Sequence, residues 1–113
     1  MTCTWTGKAC GVNRWTRQGK GRTYMSPEYR AFKESLAWTF AAASGPLLAG
    51  PVEVSISLVT NFDIDNLLKP VLDSLQTAGV ISNDNQVKEL HVWKERRGRK
   101  GQDQITIGVQ EAV

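Results

Sequence analysis

Between Pro51 and Thr60, Val52, Val54, Ile56 and Leu58 alternate with Glu53, Ser55 and Ser57, the two-residue period of a strand with one face in a core and the other polar. Upstream the period changes. Tyr29, Phe32, Leu36, Phe40 and Ala43 recur at spacings of three and four, which predicts a helix burying one apolar stripe. Ser26 as N-cap, Pro27 at the first helical position and Glu28 in the first turn mark its start. Gly45-Pro46 marks its stop. Downstream of the strand, Leu68, Val71, Leu72, Leu75 and Ala78 predict a second buried stripe, closed by Gly79, with Asp65, Lys69 and Asp73 on the opposite, polar face. Pro70 removes a backbone donor, so the start of this helix is expected to be distorted or late.

Weaker alternation predicts a strand at 2–6, with Cys3 and Trp5 on its larger face, and a short strand at 22–25. Strands are also predicted at about 86–95 and 103–109, the last with Ile105, Ile107 and Val109 on one face. The glycine-punctuated, basic stretch 8–21 predicts a long mobile loop, and 95–102 a basic hairpin loop. The order strand, loop, helix, strand, helix, strand, strand describes an α/β (α+β) fold: one domain, a mixed β-sheet and two main helices, expected on one sheet face by simple layer packing.

Composition narrows this little. At 113 residues, 41% apolar and 22% charged, the chain fits one domain, and no window approaches the ~18 apolar residues of a membrane span. The first residues carry no basic segment followed by an apolar one, so a cytoplasmic protein without a membrane partner is expected. Cys3 and Cys10 match no zinc-ligand spacing and are expected to be reduced, structural thiols. The formal charge of +3 is unevenly spread. Lys8, Arg14, Arg17, Lys20 and Arg22 precede the first acid, and Arg96-Arg97-Gly98-Arg99-Lys100 forms a second basic run. Such runs suit a polyanion or simply solubilise loops. Trp15 among them either stacks on a base or packs back onto the domain.

Four of the five aspartates fall in 63–84: Asp63, Asp65, Asp73 and Asp84. Crowded like charges repel unless a cation neutralises them. Asp63 and Asp65, two apart where a helix begins, can present both carboxylates to one hard cation such as Mg²⁺ or Mn²⁺, with Asp84 as a third ligand. The plainer reading of Asp-x-Asp there is N-capping. A metal so held activates water and clamps phosphoryl oxygens, so phosphodiester hydrolysis needs no histidine and His91 is free to be structural. Lys69 either meets charge developing at phosphorus or pairs with Asp65 or Asp73.

The run Asp63-x-Asp65-Asn66-Leu67-x-Lys69, then Asp73-x-Leu75, Gly79 and Asn83-Asp84-x-Gln86-Val87, resembles the signature of the RusA family of Holliday junction resolvases. Gly21-Arg22-Thr23-Tyr24-x-Ser26 before a helix is similar too. The resemblance implies a small, dimeric, Mg²⁺-dependent endodeoxyribonuclease of bacteria, phages or prophages that nicks four-way DNA junctions symmetrically. It implies Asp63, Asp65 and Asp84 as metal ligands and Lys69 as the catalytic lysine. The chain departs from the pattern at Phe62, Pro70 and Asn83, where a basic residue, a different residue and a second acid are usual. Candidate nucleic-acid contacts are Asn13, Arg14, Arg17, Lys20, Arg22, Asn66, Arg96, Arg97, Arg99 and Lys100.

The alternatives are a non-catalytic nucleic-acid-binding module and a metal nuclease acting on other branched substrates or on RNA. Paired cuts at a two-fold junction call for a symmetric homodimer. Trp38 and Trp93 are candidates for its interface or for ordinary core packing.

Overall fold

The computed structural model describes residues 1–11, 16–19, 22–99 and 101–112, with the strands at 16–19 and 22–25 described by their backbone alone. The elements are β1 (Thr2–Gly7), β2 (Thr16–Gly19), β3 (Arg22–Met25), α1 (Pro27–Ala43), β4 (Val52–Val59), α2 (Ile64–Thr77), β5 (Val87–Glu95) and β6 (Asp103–Glu111), with a 3₁₀ turn at Asp84–Gln86. Four strands form a mixed sheet in the order β1-β6-β4-β5, in which β4 and β5 run parallel and the other pairs antiparallel. This is an α+β fold. Within the stretch expected to be a loop, β2 pairs antiparallel with β3, Thr16 opposite Met25.

The alternation read from sequence sets the layers. Val52, Val54, Ile56 and Leu58 on β4 and Ile105, Ile107 and Val109 on β6 face a single core with Trp5, Phe32, Leu36, Phe40, Leu67, Val71 and Leu75. Both helices thus cover one sheet face, and Ser55, Ser57 and Gln104 lie exposed on the other. Trp5 joins β1 to α1, its ring edge-on to Phe32 with centroids 5.1 Å apart and its indole Nε1 donating to the Ser35 hydroxyl at 2.8 Å.

Helix α1 starts as expected, with the Ser26 hydroxyl accepting from Tyr29 N–H at 3.2 Å. Its stripe stops at Phe40, and Ala43 in the last turn is exposed. Helix α2 departs further from expectation. It begins at Ile64 and continues through Pro70, and its buried face is Leu67, Pro70, Val71, Ser74 and Leu75, with Leu68, Leu72 and Ala78 only half-buried. The proline therefore neither delays nor ends the helix. Its ring faces the core, where apolar burial offsets the ~3 kcal/mol cost of the lost backbone hydrogen bond. Gly79, at φ 78°, takes the left-handed conformation that ends α2. No described helix is long and apolar enough to cross a membrane.

Candidate active site

Strand β4 delivers the chain to α2 through a braced corner. Buried Thr60 donates its N–H to the Glu95 carbonyl at 3.0 Å, and its hydroxyl accepts from Phe62 N–H at 3.2 Å. Asp63 then occupies the N-cap in extended conformation, yet its carboxylate makes no capping hydrogen bond. The capping explanation of Asp63 fails on this geometry. Asp65 follows in the first turn, exposed like Asp63, and neither has an ion-pair partner among the described residues. Two exposed carboxylates with no protein cation beside them among the described residues attract a cation, although the positive end of the helix offsets part of their charge.

The exit of β1 passes over this corner. A Cβ on Gly11 would lie 3.1 Å from the Phe62 ring and 3.3 Å from Asn66 Cβ, so glycine permits the close approach. Asp103 anchors the segment from below: fully buried, it accepts from Ala9 N–H at 2.9 Å. Arg97 Nε stands 3.2 Å from its other oxygen, an ion pair without hydrogen-bond geometry, while Arg97 Nη1 donates to the Gly101 carbonyl at 2.7 Å. Arg97 is thus tied to the hairpin.

One turn into α2, Lys69 lies 3.5 Å from Asp73, the pairing foreseen as the alternative to a catalytic role. Lys33 on α1 reaches the same Asp73 oxygen at 3.3 Å. Its ammonium also lies 5.7 Å from the centre of the Tyr29 ring. Burial, and then the charges of Asp73 and Cys10, push the Tyr29 phenol up to about 12.

Asp84 is elsewhere. In the parallel register Val52 faces Val87 and Val59 faces Glu95, so Asp84 precedes the edge where β4 begins while Asp63 follows the edge where it ends. At ~3.3 Å per residue those edges are about 23 Å apart. The Asp84 N–H donates to Gln76 Oε1 at 2.5 Å, in the last turns of α2 and about 16 Å along the helix from Asp65. Among the described residues no three His, Cys, Asp or Glu side chains come together as a metal-binding group. Asp63 and Asp65 are neighbours, and Asp84 of the same chain does not join them.

The family model described as endodeoxyribonuclease RusA matches residues 7–109. The chain belongs to the RusA family. It is 33% identical over 100 residues to the crossover junction endodeoxyribonuclease RusA of Escherichia coli strain K12, covering 84% of this chain and 83% of that protein. The namesake of Enterobacteria phage 82 is 32% identical over the same length and shares. That of Aquifex aeolicus is 30% identical over 95 residues, 79% of this chain and 75% of its own.

The remaining candidate contacts of this RusA-family chain divide unevenly. Asn13, Arg14, Trp15, Lys20 and Lys100 lie outside the described residues, and Arg17 and Arg22 are placed on β2 and β3 by backbone only. Arg96 and Arg99 are exposed, and Asn66 is half-buried beside Phe62. β1 ends opposite the start of β6, and β4 ends opposite the end of β5, so both basic segments leave the sheet on the Asp63 edge.

Gln76 and Lys33 escaped the sequence reading, and Gln86 entered it only as part of the family motif. The Gln86 side-chain oxygen accepts from Ser82 and Asn83 N–H at 2.8 and 3.0 Å, and its amide donates to the Leu48 and Gly50 carbonyls at 2.8 Å each. Its capping-box partner is Asn83, a pairing at N-x-x-Q spacing that sequence carries. Gln76 and Lys33 act across elements, so no local spacing points to them.

Proposed function

We propose that this chain is a metal-dependent endodeoxyribonuclease that resolves four-way DNA junctions by paired, symmetric cuts, working in the cytoplasm where such DNA is reached. The observation that carries the reading is the mouth of α2, where two exposed carboxylates stand without a protein cation among the described residues, in a chain of a nuclease family. The donor set fits a hard divalent ion, Mg²⁺ with Mn²⁺ as substitute, held by Asp63 and Asp65. Such an ion, when bound, supplies water activation and a clamp on the phosphoryl oxygens. The α2 N-terminus attracts a phosphate through its free N–H groups and dipole. Lys69, exposed one turn along, brings an ammonium to the negative charge that grows at phosphorus. Arg96 and Arg99 hold flanking phosphates electrostatically.

The third carboxylate supports a homodimer. Asp84 lies on the opposite edge from Asp63 in its own chain, so a two-fold partner running antiparallel is what can bring it to Asp63 and Asp65. Among the described residues β5 is an open edge strand, and it carries exposed Leu90 and Trp93. Antiparallel pairing of two such edges sets one Asp84 beside the other chain's Glu95 end, to which Thr60 is bonded. Each dimer then holds two sites, one for each cut. Trp38, also exposed, lies away from that edge on α1.

The test compares four-way, flap, duplex and single-stranded DNA and the matching RNA forms, with Mg²⁺ and with chelator. Metal-dependent paired nicks on the four-way DNA are expected. Binding of every substrate without cutting overturns the reading in favour of a binding module, and preferential cutting of RNA or flaps overturns the junction assignment.

A further inference from the structure

Lys69 is half exposed and shares one oxygen of Asp73 with Lys33, which comes from the other helix and is the more buried of the two ammoniums. The two partners are not equivalent. Lys69 and Asp73 form an exposed i,i+4 pair, a kind that holds weakly because solvent competes for both charges. Lys33 is gripped from three sides: its ammonium contacts the Asp73 carboxylate and faces the Tyr29 ring, and its carbonyl accepts from the Ser74 hydroxyl at 3.3 Å. Tyr29 is itself wholly buried, so the platform under Lys33 does not move with solvent.

A lysine that serves a phosphate must leave Asp73. With Lys33 in place, departure of Lys69 still leaves the half-buried carboxylate neutralised at 3.3 Å. Without Lys33, departure would strand that half-buried carboxylate without a cation, and Asp73 would retain Lys69 instead. We propose that Lys33 is a positioning residue for the reaction: by holding Asp73 from α1, it releases Lys69 on α2 to meet the phosphate. This rests on the nuclease reading above only for its consequence in cleavage. The exchange at Asp73 stands on the two distances alone.

The test uses the full chain with Lys33→Met, Lys33→Arg, Asp73→Asn and the double variant Lys33→Met with Asp73→Asn. The first readout is the rate at which a lysine-directed acylating reagent modifies Lys69, followed by mass spectrometry of the folded protein. Lys33→Met should slow modification about threefold to fivefold, Lys33→Arg should leave it near wild type, and the double variant should match Asp73→Asn. The second readout is single-turnover cleavage of a four-way junction beside junction affinity without Mg²⁺. Lys33→Met should slow cleavage about fivefold at unchanged affinity, and the double variant should return to the rate of Asp73→Asn alone.

If Lys33→Met leaves the labelling of Lys69 unchanged, or if removing Asp73 fails to relieve the slowing, the proposal is wrong. Loss of junction affinity in step with rate would make Lys33 a direct DNA contact and overturn it equally. A wild-type chain that cuts no junction sinks the nuclease reading, while the labelling arm still decides the role of Lys33.

Discussion

The mouth of α2 and the ground beneath it hold aspartates under opposite conditions. Asp63 and Asp65 are exposed and without an ion-pair partner among the described residues, at a helix start that one of them could have capped and does not. Asp103, beneath the same corner, is buried, accepts from Ala9 N–H and faces Arg97; Asp73, one turn beyond Lys69, is held by two lysines. Where a carboxylate builds the fold, the chain surrounds it with donors and cations. Where it is left bare on an exposed corner, the helix dipole alone favours it, and an external cation is the natural partner.

The largest effect should come from neutralising the bare pair. Asp63→Asn and Asp65→Asn should each lower junction cleavage by at least about 100-fold, the scale of losing a charge that acts at the reacting centre. Thermal unfolding should stay at the wild-type midpoint or rise slightly as repulsion is relieved. A drop of several degrees with cleavage retained would erase the contrast and return both residues to structural duty. Asp103→Ala should do the reverse. It leaves Arg97 without its counter-charge and the Ala9 N–H without an acceptor, costing about 3 kcal/mol in urea unfolding. An unchanged midpoint would mean that the buried pair braces nothing.

These two groups were unequally legible in the sequence. The alternation from Val52 to Leu58 and the stripe from Tyr29 to Phe40 carry the layers, because burial on one face imposes a period that survives without neighbours. Asp63, Asp65 and Lys69 stand out by spacing for the same local reason. What stayed hidden is tertiary. Nothing near Arg97 says that its partner is Asp103, so it reads as one more basic residue of the hairpin. Nothing near Asp73 reveals Lys33, 40 positions away. Pro70 misled because its ring faces the core, and burial outweighed backbone preference. The separation of Asp84 from Asp63 follows from the parallel pairing of β4 with β5, a register that residue spacing does not encode.

The brace on Asp84 sharpens the comparison at a smaller scale. Gln86 makes four hydrogen bonds, two within its own turn and two to the segment before β4. Gln86→Ala should cost about 1–2 kcal/mol in unfolding and slow cleavage without weakening Asp63 or Asp65. Stability and rate both at wild type would show that Asp84 needs no such support. The smallest signal is at alkaline pH. The folded Tyr29 phenol at about 12 binds its proton beyond the range where the unfolded chain, near 10, has lost it. Stability should therefore decline as pH rises from about 10 to about 12. Ultraviolet titration of a Tyr24→Phe variant should show late ionisation, and a midpoint near 10 would remove the burial attributed to that site.

The central claim is that Asp63 and Asp65 of one chain work with Asp84 of another, and mixing inactive chains tests it most directly. Asp63→Asn and Asp84→Asn proteins, each inactive alone, are combined, allowed to exchange subunits, and assayed on a four-way junction with Mg²⁺. In a mixed dimer one shared site carries both substitutions and the other carries neither, so nicking at one of the two positions should return. If the mixture stays as inactive as its components after exchange is verified by mass, the three carboxylates do not form a site between chains.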